Sequence, residues 1–329
     1  MTATIKDVAN LAGVSTATVS RVLSDKKGTY SQQAAQKVLA AAKKLGYVKN
    51  VAAAELVSKS SNRIAVILNN TLTNFWTDVI KGIYDAAMKM GYQIFILYAG
   101  DKNLPQFHNA LDVALERPLA GILMISTMID QKAKDRLQAS GVPFRLVSIY
   151  DEKKRLYKDL PYTSSNNVEI ATIATRYLIE LGHERIGLVG IDRSNTGQQR
   201  LFGFEQEMIK HQLPIEPSWI HYGNYSYPTG QNSFADLLND QLTAVITASD
   251  MIAVGMIQQA NVSGITLPQQ LSILSIDGTY LCEITTPTIT SITQNFYQMG
   301  RQSVIGLLND QPAEFIPVEI TERQSTIRI

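Results

Sequence analysis

From Arg63 onward the chain alternates short apolar runs with amphipathic stretches, and few folds accept that rhythm. Runs 64–68, 92–98, 121–125 and 144–149 are rich in Ile, Leu and Val and read as buried parallel strands, with helical patterns at about 75–90, 105–116 and 131–140 between them. A second series begins near Tyr162: helix 166–181, strand 186–189, helix 197–211, strand near 219–222, helix 228–239, strand 244–247, helix 250–262 and strand 271–276. Strands that lack polar alternation are covered on both faces, and strand–helix–strand units build parallel sheets. Two series imply two doubly wound α/β lobes. Sheets of this type bind ligands beyond the carboxyl ends of their strands.

The first 48 residues follow another pattern. Thr4 precedes an amphipathic stretch with Asp7 three residues later, the spacing of a capping box. Val8, Ala9 and Ala12 share one helical face, Gly13 supplies a turn, and Ser15 can cap a second helix whose inner side carries Val19, Val22 and Leu23. A third helix, about 31–45, is expected to add Val38, Leu39, Ala42 and Leu45 to the same small core. Three short helices so arranged leave the amino end of the second free to enter a major groove. The charge agrees: residues 1–61 hold nine Lys/Arg against three Asp/Glu, whereas the other 268 hold 21 against 26. A basic head on an acidic body suits docking on phosphates at one end. The fold class is therefore α + α/β: a helix-turn-helix head (1–48), a hinge (49–61) and a two-lobed body (62–329). The hinge helix, about 51–57, is shorter than the ~12–15 residues at which an isolated helix becomes marginal in water.

The head resembles the LacI/GalR family of bacterial transcription repressors, on Thr4-Ile-Lys-Asp-Val-Ala9, Val14-Ser-Thr-Ala-Thr-Val-Ser-Arg-Val22 and Lys44-Leu-Gly-Tyr47. The likeness continues through Leu181-Gly-His-Glu-Arg-Ile-Gly187, Arg200-Leu-Phe-Gly-Phe204, Pro287–Ile292 and Arg323-Gln-Ser-Thr326, so it covers nearly the whole chain. It implies a clamp like the type I periplasmic binding proteins, with helix 296–309 and strand 315–320 returning to the first lobe. The first lobe is then 62–160 plus 293–320, and the second 161–292 plus 321–329. The implied function is repression of a sugar-utilisation operon, with operator binding modulated by a sugar or sugar phosphate in the cleft. The implied assembly is a homodimer on double-stranded operator DNA. Within the family, a catabolite-type regulator with a phosphoprotein co-effector is the alternative.

On the second helix, Ser15, Thr16, Ala17, Ser20 and Arg21 lie at the amino end or on the outer face. Thr16 and Ala17 match positions from which the family reads bases, and both are small enough for a thymine methyl contact or a hydroxyl hydrogen bond. Arg21 suits a bidentate contact to guanine, or a phosphate. Thr4 and Ser31 begin helices, whose free N–H groups bind phosphate; simple capping is the competing role. Leu56 matches the family's apolar wedge in the minor groove.

Effector contacts are carried over in the same way. Phe75 and Trp76 follow the first body strand and can stack on a sugar or belong to the core. Arg200 matches the family's arginine for sugar hydroxyls, and its fork suits paired acceptors. Asp277 closes a strand where a carboxylate can accept two hydroxyl hydrogens, and Tyr225, Ser249 and Phe296 align with further cleft positions. Ser148 stands where many relatives carry an aspartate, so fewer charged contacts are expected. Asp250 reads as a helix cap and His183 as a packing histidine.

Other classes fit poorly. The chain shows no Gly-rich phosphate loop, nucleophile elbow or paired histidines, so enzyme is not expected and no cofactor is implied. Its four histidines lack metal-ligand spacing. The single Cys282 cannot form an internal disulfide, and no apolar run nears the ~20 residues that span a bilayer. With no signal-peptide pattern at the start, a cytoplasmic location is expected and a transporter-feeding sugar receptor is disfavoured.

Overall fold

The computed structural model describes residues 3–24, 28–47, 61–69, 73, 75–100, 104–151 and 154–329. The chain divides into two compact units, Met1–Ser61 and Asn62–Ile329. The expected hinge helix and Leu56 lie outside the described residues.

In the first unit, α1 (Ile5–Ala12), α2 (Thr16–Leu23) and α3 (Gln32–Leu45) close on Val8, Ala9, Ala12, Val19, Val22, Val38, Ala41 and Ala42. Local chemistry sets each boundary. Thr4 and Asp7 form the capping box reciprocally: the Thr4 N–H donates to Asp7 Oδ2 (2.8 Å) and the Asp7 N–H to Thr4 Oγ1 (3.4 Å). Gly13 (φ +66°) takes the left-handed conformation that ends α1 and turns the chain into α2. One expectation fails here. Leu39 is 56% exposed and Leu45 36%, while Ala41 joins the core instead. The interior is small enough that alanine, not leucine, fits where α3 meets α1.

The second unit contains two six-stranded sheets. The first has the order β11-β5-β4-β3-β1-β2, from β1 (Arg63–Leu68), β2 (Gln93–Tyr98), β3 (Gly121–Ile125), β4 (Phe144–Val147), β5 (Tyr162–Ser164) and β11 (Glu314–Phe315). All its pairings are parallel. Its helices are α4 (Trp76–Lys89), α5 (Leu104–Leu115), α6 (Gln131–Ser140) and α12 (Phe296–Leu308). The second sheet has the order β12-β10-β9-β8-β6-β7, from β6 (Ile186–Ile191), β7 (Ile220–Tyr222), β8 (Ala244–Thr247), β9 (Ser272–Asp277), β10 (Thr290–Gln294) and β12 (Val318–Thr321). Its pairings are parallel except β10 with β12. α7 (Asn167–Glu180), α8 (Asn195–Lys210), α9 (Tyr227–Asn239), α10 (Asp250–Ser263) and the short α11 (Leu281–Ile284) complete the second lobe. In each sheet the strand order reverses beside the first strand, so the switch points lie between β1 and β3 and between β6 and β8.

Three details differ from the sequence-based expectation. Tyr162 does not open the second lobe; β5 pairs with β4 and belongs to the first sheet. The expected strand 315–320 is two strands in different sheets, β11 beside β5 and β12 beside β10, because Ile316-Pro317 breaks the run. Proline cannot supply the N–H a continuing ladder needs. β2 is an edge strand, with Ile96 39% and Tyr98 64% exposed, not a buried one.

Two contacts hold these late segments in the first lobe. Gly82 and Gly300 let α4 and α12 touch through their backbones: a Cβ on Gly300 would lie 2.0 Å from the Val79 carbonyl oxygen, and one on Gly82 2.0 Å from that of Tyr297. Arg145 is wholly buried and donates to the carbonyls of Tyr162 (2.7 Å) and Pro312 (3.0 Å) and to Thr163 Oγ1 (3.0 Å).

In the second lobe a buried carboxylate joins two helices. Glu207 on α8 accepts from Arg176 Nε on α7 (2.7 Å) and from Lys210 Nζ (3.0 Å). The Arg176 hydrogen bond, assisted by Lys210 and opposed by burial, lowers its pKa to about 2. A depressed carboxylate stabilises the fold fully above its ordinary value of 4.5, and that stabilisation fades as pH falls toward about 2. Because both cationic partners are largely solvated, we expect Glu207→Gln to cost about 1–2 kcal/mol at neutral pH. Thermal midpoints of variant and parent should converge across that acid window; parallel curves would contradict the assignment.

Candidate functional sites

On α2, Thr16, Ala17, Ser20 and Arg21 are all exposed and share the face opposite the buried Val19 and Val22. Ser15 caps the helix, accepting from the Thr18 N–H (3.1 Å). The amino ends of the head helices are not equivalent as anion seats. α1 carries Asp7 in its first turn, and hydrogen bonds from Thr4 hold that carboxyl below its usual pKa range, so a phosphate there meets a negative charge. α2 and α3 have no acidic residue in their first turns, and Ser31 caps α3 by accepting from the Ala34 N–H (3.2 Å). The side chains of Thr4, Ser15 and Ser31 are all engaged as caps, and only the amino ends of α2 and α3 are free of an acidic side chain.

In the second lobe, the expected Arg200, Tyr225, Ser249 and Asp277 gather at the carboxyl ends of β6, β8 and β9. Arg200 is 5% exposed; its Nε donates to Asn167 Oδ1 (3.1 Å) and its Nη1 to the Ala248 carbonyl (2.7 Å). Its guanidinium carbon lies 5.9 Å from the centre of the Tyr225 ring. Tyr225 OH donates to Asp192 Oδ1 (2.8 Å), and burial pushes its pKa well up. Ser249 is completely buried: its hydroxyl donates to the Tyr225 carbonyl (2.8 Å) and caps α10. It positions the Tyr225 loop and leaves no surface for a ligand. Asp277 accepts from Gln294 Nε2 (2.9 Å). Burial first, then the charge of Asp250, raises its pKa well above the carboxylate range, against the pull of Arg200.

Asp250, expected as a cap, is a loop anchor. It accepts from Ser275 Oγ (2.6 Å), the Thr279 N–H (2.6 Å) and the Gly278 N–H (3.3 Å), while Ser249 takes the capping role. His183 bridges Thr243 Oγ1 and the Ile327 carbonyl, both at 3.0 Å, and burial lowers its pKa.

The first-lobe candidates separate. Phe75 and Phe296 begin α4 and α12 and face each other, ring centres 5.0 Å apart, within the core; they are 9% and 4% exposed. Trp76 stays half-buried at the start of α4. Ser148 follows β4 and lies elsewhere, in a cavity of about 340 Å³ lined by both lobes, from Asn69, Ser126 and Ser148 in the first to Ser194 and Asn195 in the second. Asn69 Nδ2 donates across the first switch point to the Ser126 carbonyl (2.9 Å).

Asn69, Asp192, Asn195 and Asn167 do not stand out in the sequence by residue type. The available signal is position: Asn69 and Asp192 each directly follow a buried apolar strand that ends at a switch point. Backbone strain marks the same places. Ser126 (φ +49°), Ser148 (φ +60°), Tyr225 (φ +64°) and Asp277 (φ +125°) all hold conformations that residues other than glycine rarely adopt. Strain of this kind persists where surrounding structure fixes it, often around ligand sites.

Residues 4–50 match the family described as bacterial regulatory proteins, lacI family, and residues 175–326 match a periplasmic binding protein-like domain. The HTH-type transcriptional regulator DegA of Bacillus subtilis (strain 168) is 30% identical over 338 residues, spanning 99% of this chain and 98% of DegA. The chain belongs to the lacI family. This lacI-family protein is a DNA-binding transcription regulator, with the two-lobed fold of its relatives. A transcription regulator from Lactobacillus plantarum is 37% identical, with a TM-score of 0.73 over 82% of this chain and all of that one. The lacI-family regulator CCPA from Weissella paramesenteroides, solved with bound sucrose, is 27% identical with a TM-score of 0.73, covering 81% of this chain and 99% of that one. Among the described residues, no helix of this lacI-family chain is long and apolar enough to cross a membrane.

Proposed function

We propose that this regulator is a homodimeric repressor whose operator affinity is set by a neutral sugar held between the lobes. The observation that carries this reading is the second-lobe cluster, where a buried Arg200 fork stands among Asp192, Asp277 and the Tyr225 ring. Asp192 and Asp250 already oppose the one guanidinium around that point, and the raised pKa of Asp277 marks it as unfavourable for further negative charge, which favours neutral hydroxylated ligands over phosphorylated ones. The sucrose-bound relative supports the same class. In this reading the site binds its ligand without turnover; the single Cys282 is buried and its thiol pKa is pushed up, so it offers no nucleophile.

The test has two readouts. A neutral-sugar library is screened by thermal shift, and each binder is then added to a fluorescence-anisotropy titration of a duplex selected from a random pool. A binder should raise the melting midpoint by mass action and change duplex affinity by about 5–150-fold. If only sugar phosphates act, the neutral-ligand reading is wrong; if no sugar acts, the effector reading is wrong.

A further inference from the structure

Tyr150 belongs to the first lobe by its ring and reaches the second by its hydroxyl. It follows β4 and is buried. The ring stacks on Tyr162 of β5, centres 5.3 Å apart and planes at 27°, and meets Phe315 of β11 edge-on at 4.8 Å and 75°. β5 and β11 each lead within three residues into the second lobe, β5 to α7 and β11 to β12. The three rings therefore stand where two connections between the lobes begin.

The polar atoms of Tyr150 point the other way. Its hydroxyl donates to Asn166 Oδ1 (3.2 Å) and accepts from the Asn167 N–H (3.1 Å), at the amino end of α7. Its carbonyl accepts from Asn195 Nδ2, at the start of α8. Asn167 is also the residue that holds Arg200: its Oδ1 accepts from Arg200 Nε (3.1 Å), and its Nδ2 donates to Gln199 Oε1 (3.2 Å). Two hydrogen bonds through one residue thus separate an aromatic anchor in the first lobe from the guanidinium in the second. Buried networks of this kind act as a unit, with energies that exceed the separate pairs.

We propose that Tyr150 is a positioning residue that ties the first lobe to Arg200, so that a change at the guanidinium alters how firmly the two lobes are held together. The regulatory use of this tie rests on the cleft reading above; the tie itself does not.

Hydrogen exchange of the full chain, followed by mass spectrometry without sugar or DNA, tests it. Tyr150→Phe keeps the ring and removes the hydroxyl. Amide exchange should rise about 5- to 30-fold at 166–169, where the partners of the hydroxyl lie, and by a similar factor at 194–198 on the other helix. Exchange in β8, inside the second-lobe core, should stay as in the parent. Arg200→Lys removes the Nε donor to Asn167 and should also raise exchange at 166–169. The double variant should then exchange less than the product of the two single effects, because both act on one network. Exchange at 194–198 that does not rise, a rise shared by β8, or a double effect equal to the product overturns the tie and leaves the cleft reading standing. Failure of every sugar in the thermal screen overturns the cleft reading and leaves the tie standing.

Discussion

Arg200→Ala is expected to weaken effector binding by about 30- to 1000-fold, the loss that follows when a buried charged donor is removed from a ligand's hydrogen-bond partners. The guanidinium joins three parts of the second lobe at once: Asn167 on α7, the Ala248 carbonyl after β8 and the face of Tyr225. Alanine leaves the Asn167 and Ala248 oxygens without this donor and removes the one cationic group that pulls the Asp277 pKa down against Asp250. Some stability should be lost as well, so the informative companion is Arg200→Lys. Lysine keeps the charge beside Asp277 but not the fork, and should restore the melting midpoint more fully than the affinity. Titration of any sugar found by the thermal screen, against parent and both variants, is the measurement. Full affinity in Arg200→Ala would mean that the ligand sits elsewhere.

Arg21→Ala is expected to remove discrimination between operator and scrambled duplex by about 1–3 kcal/mol, or about 5- to 150-fold. The side chain is exposed on the outer face of α2 with Thr16, Ala17 and Ser20, and none of these four supports the core built on Val19 and Val22. The substitution should therefore leave the head folded. Lys37→Ala, on the exposed side of α3, serves as the comparison: an ammonium that pairs with phosphate there strengthens all duplexes alike, so its removal weakens them together and reduces the salt slope. Anisotropy titrations on both duplexes at two salt concentrations separate the outcomes. If Arg21→Ala weakens both duplexes equally, Arg21 binds phosphate and reads no base.

The parts of this molecule legible in its sequence are those fixed by local chemistry. Thr4 with Asp7, Gly13, Ser15 and Ser31 mark helix ends through residues one to three positions apart, and the structure uses each of them so. The buried strands of both sheets are visible because covering on two faces demands unbroken apolar runs. What escapes depends on partners distant in the chain. Arg145 sits inside an apolar run, and its carbonyl partner at Pro312 is 167 residues away. Phe75 and Trp76 are adjacent aromatics, and only the approach of Phe296 decides that the first belongs to the core. Leu39 has the spacing of a core residue, yet the narrow gap between helices leaves it outside. Arg200 and Asp277 of the second lobe stand out by type and place, whereas Asp192 there and Asn69 in the first lobe look like ordinary loop residues until the fold brings them to the strand ends.

The return of α12 and β11 to the first sheet also sets an order of assembly. A ribosome has released the head and nearly all of the second lobe before it makes Phe296–Leu308 and Glu314–Phe315, which the earlier-made lobe needs to cover α4 and extend β5. The lobe begun first thus stays incomplete until almost the whole chain is made, and in the nascent chain a DNA-binding head can mature while the sensor that governs it is still open.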